Sequence, residues 1–426
     1  MSIDQMTVQE RAQTLEALRA TYADFQVQKL ALNMARGKPS TEQLDRVSRY
    51  DQRGVSNDCF YDAEGTDVRN YGGLSGLPQM RAIFANMLDV KPDQVLALGN
   101  SSLSLMAQVL SFALIYGRSD SQQPWLFNKR RKFLCPSPGY DRHFALTAHQ
   151  GFELIPVPMT ADGPDMDRVE ALCAQDEDIK GIWCVPKYSN PDGYVYSQEV
   201  CERLAKMEAC EDFVILWDNA YGVHHLSADP TEQAKLPNIL ALCEQYGHKD
   251  RAFVFVSTSK ITYAGAGVAG LASSKENLEW YLSHDQYQTI GPDKLNQLQT
   301  VQLIEAAGGL AQLMAEHAEI LKPKFDLVVS YLERELKDWD LATWHVPQGG
   351  YFVSVHLKPG LAKRVVALCQ AAGVTLTGAG AAFPYQKDPL DSNIRIAPSY
   401  PPVSELEKAI QIFCVCVKMA ALEQAE

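Results

Sequence analysis

The chain has 426 residues, a formal net charge of −13, 46% hydrophobic and 21% charged residues. That length carries a large core and predicts two domains, at roughly 100–200 residues per domain, and the composition is that of an ordinary globular protein. The acidic balance argues against a nucleic-acid surface, because phosphate binding needs clustered Lys and Arg.

The one basic run, Lys129-Arg130-Arg131-Lys132, precedes an apolar stretch and reads as a solvated turn. Ten cysteines lack a CxxC pair, and several sit in apolar runs (Cys135, Cys184, Cys369), which predicts reduced, buried thiols. No stretch approaches the ~18 apolar residues of a membrane span. Met1-Ser2-Ile3-Asp4-Gln5 lacks the basic-then-apolar order of a signal peptide. The expectation is a soluble cytoplasmic protein.

In chain order, Val8 to Leu30 predicts an amphipathic helix, with Leu15, Leu18, Tyr22 and Phe25 at helical spacing. Asn33-Met34-Ala35-Arg36-Gly37-Lys38-Pro39-Ser40 breaks it. A second loop is expected as far as the Gly-rich Arg69-Asn70-Tyr71-Gly72-Gly73-Leu74-Ser75-Gly76-Leu77-Pro78. Pro78 suits the first turn of a helix that continues through Met87. Strands and helices then alternate. Val95 to Gly99 is strand-like, Leu103 to Tyr116 helical, and Lys132 to Cys135, Phe152 to Pro156 and Gly181 to Val185 are further strands. A helix from Gln198 to Met207 leads to strands at Phe213 to Asp218 and Phe253 to Val256. This order predicts a mostly parallel sheet with helices on both faces.

Ligands bind such sheets at the carboxyl ends of the strands, and these strand ends are polar. The last quarter, with helical patterns from Leu303 to Leu336 and strand-like Tyr351 to His356 and Asn393 to Ile396, reads as a smaller α+β unit joined by the N-terminal helix. The expected division is a large domain at 51–324 and a discontinuous small domain of 1–50 with 325–426.

The apolar run Phe253-Val254-Phe255-Val256 closes on Ser257-Thr258-Ser259-Lys260. A buried ammonium is costly without a partner. Chemistry that needs an uncharged amine gives a reason for one, because desolvation makes lysine a nucleophile able to form a Schiff base. Flanked by short hydroxyls suited to a phosphate, such a lysine points to pyridoxal phosphate.

That cofactor has four needs. Its ring nitrogen needs an acid partner, and Asp218 ends a strand. Its phenolic oxygen needs donors, and Asn190 and Tyr221 follow neighbouring strands. Its ring face needs an aromatic to stack on, which Tyr140 supplies. Its phosphate needs hydroxyls and amides at a helix start, which Asn100-Ser101-Ser102 supplies. Each alone has a plain explanation as a cap or turn; the set in this order does not.

The chain resembles fold-type I pyridoxal phosphate enzymes, specifically the class I aminotransferases. The matching residues are Asn190-Pro191-Asp192-Gly193, Asp218-Asn219-Ala220-Tyr221, Ser257-Thr258-Ser259-Lys260, Pro347-Gln348-Gly349-Gly350-Tyr351-Phe352 and Arg395. They stand in the family's order over most of the chain. Within the family it is most similar to the aspartate aminotransferase subgroup marked by Ala35-Arg36-Gly37-Lys38-Pro39-Ser40, Lys187-Tyr188-Ser189-Asn190-Pro191, Trp217-Asp218-Asn219-Ala220-Tyr221 and Thr289-Ile290-Gly291-Pro292-Asp293-Lys294.

The resemblance implies that Lys260 binds the cofactor as a Schiff base and then shuttles a proton. It places Asp218 at the pyridinium, Asn190 and Tyr221 at the phenolic oxygen, and Tyr140 on the ring face. Ser101, Ser102, Ser257 and Ser259 would surround the phosphate. Tyr71 would reach the neighbouring subunit's site in a homodimer, Arg395 would clamp the α-carboxylate, and Gly37 would lie in a mobile segment over the substrate. Candidates for the side-chain carboxylate are Arg36, Lys38, Arg142 and Lys187. One position departs from the family: where an arginine commonly meets the phosphate, eight residues past the lysine, this chain has Val268.

The implied reaction moves the amino group of L-aspartate to 2-oxoglutarate. Rivals are an aminotransferase for another amino acid, and a pyridoxal phosphate lyase or decarboxylase on the same fold. A non-catalytic pyridoxal-binding regulator would need a DNA-binding module, for which the short acidic N-terminus is expected to leave no room. Gly265-x-Gly267-x-x-Gly270 matches a dinucleotide fingerprint, but strand rather than helix is expected after it. His224-His225 and Cys414-Val415-Cys416 lack the spacing of a metal site and are expected to be structural.

Overall fold

In the computed structural model, the described residues are 3–51 and 60–425. Met1 and Ser2, Cys59, and part of the loop expected after Ser40 lie outside them.

The centre is an eight-stranded sheet. Its spatial order is Val95–Ala97, Ala269–Ala272, Ala252–Ser257, Val214–Asp218, Ile179–Cys184, Lys132–Ser137, Glu153–Thr160 and Gly163–Pro164. The strands from Ala252–Ser257 to Glu153–Thr160 run parallel, and the remaining ones pair antiparallel. Four of the parallel strands are buried along their whole length, as central strands covered on both faces are.

Alternation divides their side chains between two cores. Phe253, Phe255 and Leu216 pack with Met106, Val109 and Phe112 of the helix Ser102–Tyr116. Val254, Ile215 and Ile182 pack on the other face with Met80, Phe84 and Leu204. A separate core joins the helices Val8–Val27, Leu310–Leu336 and Val403–Gln424 to an antiparallel sheet of Ala342–Trp344, Val353–Leu357 and Asn393–Ile396.

The mostly parallel α/β large sheet and the α+β character of the last quarter agree with the sequence reading. Three details differ. The first helix stops at Val27, short of Leu30. Lys132 is buried at the head of its strand and pairs with Asp176, so the basic run is a solvated turn only up to Arg131. A helix at Thr41–Ser48 occupies what was expected to be loop. Its sequence signal is Ser40-x-x-Gln43, a capping box in which Ser40 Oγ accepts from the Gln43 amide and Gln43 Oε1 from the Ser40 amide.

This short helix brings Gln43 into a buried network. Gln43 Nε2 lies 3.2 Å from His317 Nδ1 and 3.2 Å from the Tyr351 hydroxyl, which itself donates to the Lys260 carbonyl at 3.3 Å. Burial pushes His317 down to about 4 and the adjacent His224 down to about 3. Both therefore stay neutral in the folded chain well below the unfolded histidine pKa of about 6.5. Between those limits the unfolded chain binds more protons, so stability is full above about 6.5 and falls as the pH drops toward 4. His317→Gln is expected to flatten this decline by up to about 3 kcal/mol. Melting temperatures of the two proteins from pH 7 to 4 test it; curves that decline in parallel would refute it.

Candidate active site

The central parallel strands end side by side. Cys184 is in register with Trp217, and Asp218 with Phe255. The chain therefore leaves three adjacent strands at one edge, carrying Asn190, Asp218 and Lys260 into the same place. A cavity of about 170 Å³ there is lined by Ser101, Ser102, Tyr140, Asn190, Asp218, Tyr221, Ser257, Ser259 and Lys260. The polar strand ends singled out in the sequence thus converge. Lys260 itself is half-buried rather than enclosed.

Asp218 is 4% exposed. Its Oδ2 lies 3.0 Å from His143 Nε2, while Oδ1 is buried without a hydrogen-bond partner. His143 stacks on Trp183, with ring centroids 4.1 Å apart and planes at 10°. The sequence reading did not find His143. Its signal is the spacing Tyr140-x-x-His143, which puts both rings on one turn at the start of the helix Asp141–His149. Tyr221 is buried with its ring 4.8 Å from Lys260 Nζ. Burial, and then the Asp218 charge, push its hydroxyl far up, so it remains a donor. Burial likewise pushes Tyr140 up to about 12.

Val268 is buried in the core, its amide donating to Thr258 Oγ1 at 2.9 Å. No cation reaches the cavity from that position. A Cβ at the adjacent Gly267 would lie 2.6 Å from Ser259 Oγ and 3.1 Å from the Asn100 carbonyl, so only glycine lets the backbone pass this close to the serines.

Arg395 sits opposite Ser354 in the small antiparallel sheet. Its Nη1 donates to Asn190 Oδ1 at 3.0 Å and Asp141 Oδ1 at 3.2 Å, and its Nη2 to Thr377 Oγ1 at 3.3 Å. Neither Asp141 nor Thr377 was expected from the sequence; both enter through tertiary contact. The guanidinium lies 4.8 Å from the Phe352 ring centroid. Gly37 covers that ring closely: a Cβ there would come within 2.2 Å of Phe352 Cζ.

Not every expected residue lines the cavity. Tyr71 is 83% exposed and lines a different pocket with Gly291, Pro292 and Lys294. Arg36 and Arg142 are exposed and form no ion pair among the described residues. Lys38 Nζ lies 4.0 Å over the Tyr400 ring. Lys187 lines another cavity with Trp217 and Asn219, where burial pushes it down to about 8. Among the described residues no His, Cys, Asp and Glu group could hold a metal. After the Gly-rich turn at Ala264–Ala266 comes the strand Ala269–Ala272, so no helix opens there for a dinucleotide.

The family described as aspartate amino-transferase matches residues 6–426. A Corynebacterium glutamicum protein named aspartate aminotransferase is 45% identical over 96% of this chain and 94% of its own length. The crystal structure of an aspartate transaminase from the same species superposes with a TM-score of 0.96 at 43% identity, covering 100% of both chains. An α-aminoadipate aminotransferase from Thermus thermophilus, complexed with N-(5'-phosphopyridoxyl)-L-leucine, shares the fold at 19% identity and a TM-score of 0.74, with 94% of this chain and 96% of that one covered. Together with the site at its strand ends, this match makes the chain a member of the aspartate aminotransferase family, with the fold-type I architecture.

Proposed function

We propose that this aminotransferase uses pyridoxal 5'-phosphate to move the amino group of L-aspartate to 2-oxoglutarate, yielding oxaloacetate and L-glutamate in two half-reactions at one site. The observation that carries the reading is the Asp218 carboxylate, buried with one oxygen held by His143 and the other unpartnered. A buried acceptor without a donor costs free energy, and a protonated ring nitrogen offered by a ligand is the donor this site lacks. The serine hydroxyls and the start of the 15-residue helix Ser102–Tyr116 suit a phosphate.

Bound there, pyridoxal phosphate supplies an electron sink that lets a substrate α-carbon release its proton. The chain's own groups do the rest. Asp218 Oδ1 keeps the ring nitrogen protonated, and His143 fixes the carboxylate's orientation. Tyr221 and Asn190 hold the phenolic oxygen, and Tyr140 covers the ring. Ser101, Ser102, Ser257 and Ser259 hold the phosphate without an arginine at position 268. Lys260 Nζ carries the cofactor between reactions and moves the α-proton during them. Arg395 grips the α-carboxylate with the planar donor fork that lysine lacks. Arg36, exposed on the segment that holds Gly37 against Phe352, is the cation we assign to the side-chain carboxylate. The aspartate assignment leans on the Corynebacterium relative's name and its 45% identity.

The same proposal makes the working unit a homodimer with Tyr71 reaching the phosphate of the neighbouring site. Its support is exposed apolar side chains on one pocket: Tyr71 at 83% and Leu295 at 37% line it, and the exposed Ile290 precedes the lining Gly291 and Pro292. Sedimentation of the loaded protein is expected to give a dimer, and a monomer at working concentrations would refute it.

The purified protein is expected to be yellow, to bleach with L-aspartate and to recover with 2-oxoglutarate. Lys260→Ala should fold, as judged by its melting temperature, yet turn over nothing. A protein still colourless after incubation with pyridoxal phosphate would overturn the reading, and bleaching only by other amino acids would overturn aspartate. Arg395→Lys is expected to raise KM for all substrates by about tenfold or more, and Arg36→Gln to raise it for dicarboxylates alone. An unchanged KM would remove the corresponding residue from the site.

A further inference from the structure

Arg395 already has a carboxylate on it. Its side chain is 10% exposed, and a cation so deeply placed needs a counter-charge. Asp141 provides one, with Oδ1 3.2 Å from Arg395 Nη1, the same nitrogen that donates to Asn190 Oδ1 at 3.0 Å. The pair is asymmetric. Arg395 is pinned by Asn190, Thr377 and the Phe352 face, whereas Asp141 is 35% exposed and opens the helix Asp141–His149. A negative side chain in a first helical turn is favourable with or without a cationic partner. Asp141 can therefore give up the guanidinium and turn to water, while Arg395 cannot leave. The guanidinium also keeps a buried, unpartnered Nε, so its donor capacity is not exhausted by the groups around it.

We propose that Asp141 is an internal counter-ion that competes with the substrate carboxylate for Arg395, weakening the binding of every carboxylate that enters. This rests on the reading of Arg395 as the carboxylate clamp. The physical consequence is general. An incoming carboxylate meets a cation that is already neutralised, and must displace Asp141 or share Nη1 with it. Because the amino-acid and oxo-acid partners both carry a carboxylate on the reacting end, the penalty applies equally to both half-reactions. It also applies equally to products, which must leave the same site before the second substrate can bind. Asp141 acts through Arg395 and is a positioning residue, not a catalytic one.

The test is calorimetric binding of two unreactive carboxylates, acetate and succinate, to the cofactor-loaded protein and to its D141N, D141E and R395A variants. D141N keeps the shape and the helix-starting position but removes the charge. It is expected to tighten both ligands by a similar factor, roughly three- to tenfold for the loss of one partly exposed ion pair. KM for aspartate and for 2-oxoglutarate should fall by the same factor. D141E, which retains the charge, should bind as the unmodified protein does. Weaker or unchanged binding in D141N, with a normal melting temperature, would overturn the proposal by making Asp141 a simple support for Arg395. Tightening of succinate alone would also overturn it, since Asp141 would then face a second carboxylate instead of Arg395. If R395A binds both ligands normally, the clamp reading itself fails, a result distinct from either.

Discussion

The site depends on a carboxylate buried at the end of a parallel strand. Asp218 is buried beside His143, Tyr140 and Tyr221, where an isolated charge is expensive. His143 satisfies one oxygen; the other is buried without a partner, on a residue that lines the cavity. The fold can hold such a group because parallel strands leave the sheet in the same direction, so every neighbouring strand end contributes its polar residues at the same edge. Asn190, Tyr221 and Lys260 are near Asp218 because their strands pair in register, although they are far apart in the chain.

Two contact chains tie the N-terminal part to that edge. Gln43 bonds Tyr351, and Tyr351 bonds the Lys260 carbonyl. Gly37 lies on Phe352, and Phe352 lies under Arg395. Consecutive residues, Tyr351 and Phe352, thus face the lysine backbone on one side and the guanidinium on the other. A displacement of the segment around Arg36 and Gly37 would be felt by both. Tyr221, proposed to meet the cofactor, shares one core with Phe352 and with Ile394 and Ile396, the strand neighbours of Arg395.

Position 268 leaves the cavity wall to other groups. The Val268 side chain is buried in the core, and its amide donates to Thr258 Oγ1. The serines remain on the cavity wall. Fold alone does not settle which amino acid is used, and neither Arg36 nor Arg142, both exposed, lines the cavity.

Much of this was legible in the sequence, for physical reasons. The apolar runs Gly181 to Val185, Val214 to Trp217 and Phe253 to Val256 require strands covered on both faces, and the polar residues that follow each run have only the sheet edge to occupy. Lys260, Asp218, Asn190, Tyr221, Tyr140 and the four serines could be found this way, and the structure gathers them. The helix at Thr41–Ser48 was also written locally, in its capping box, yet eight residues between two loops do not outweigh Gly and Pro nearby. What only the tertiary structure decided are contacts between side chains from separate elements: His143 on Asp218, Asp141 and Thr377 on Arg395, and Gln43 on Tyr351. Periodicity reports which face of an element is buried, and the spacing Tyr140-x-x-His143 puts two rings on one turn; which polar group each then meets on another element is set by packing.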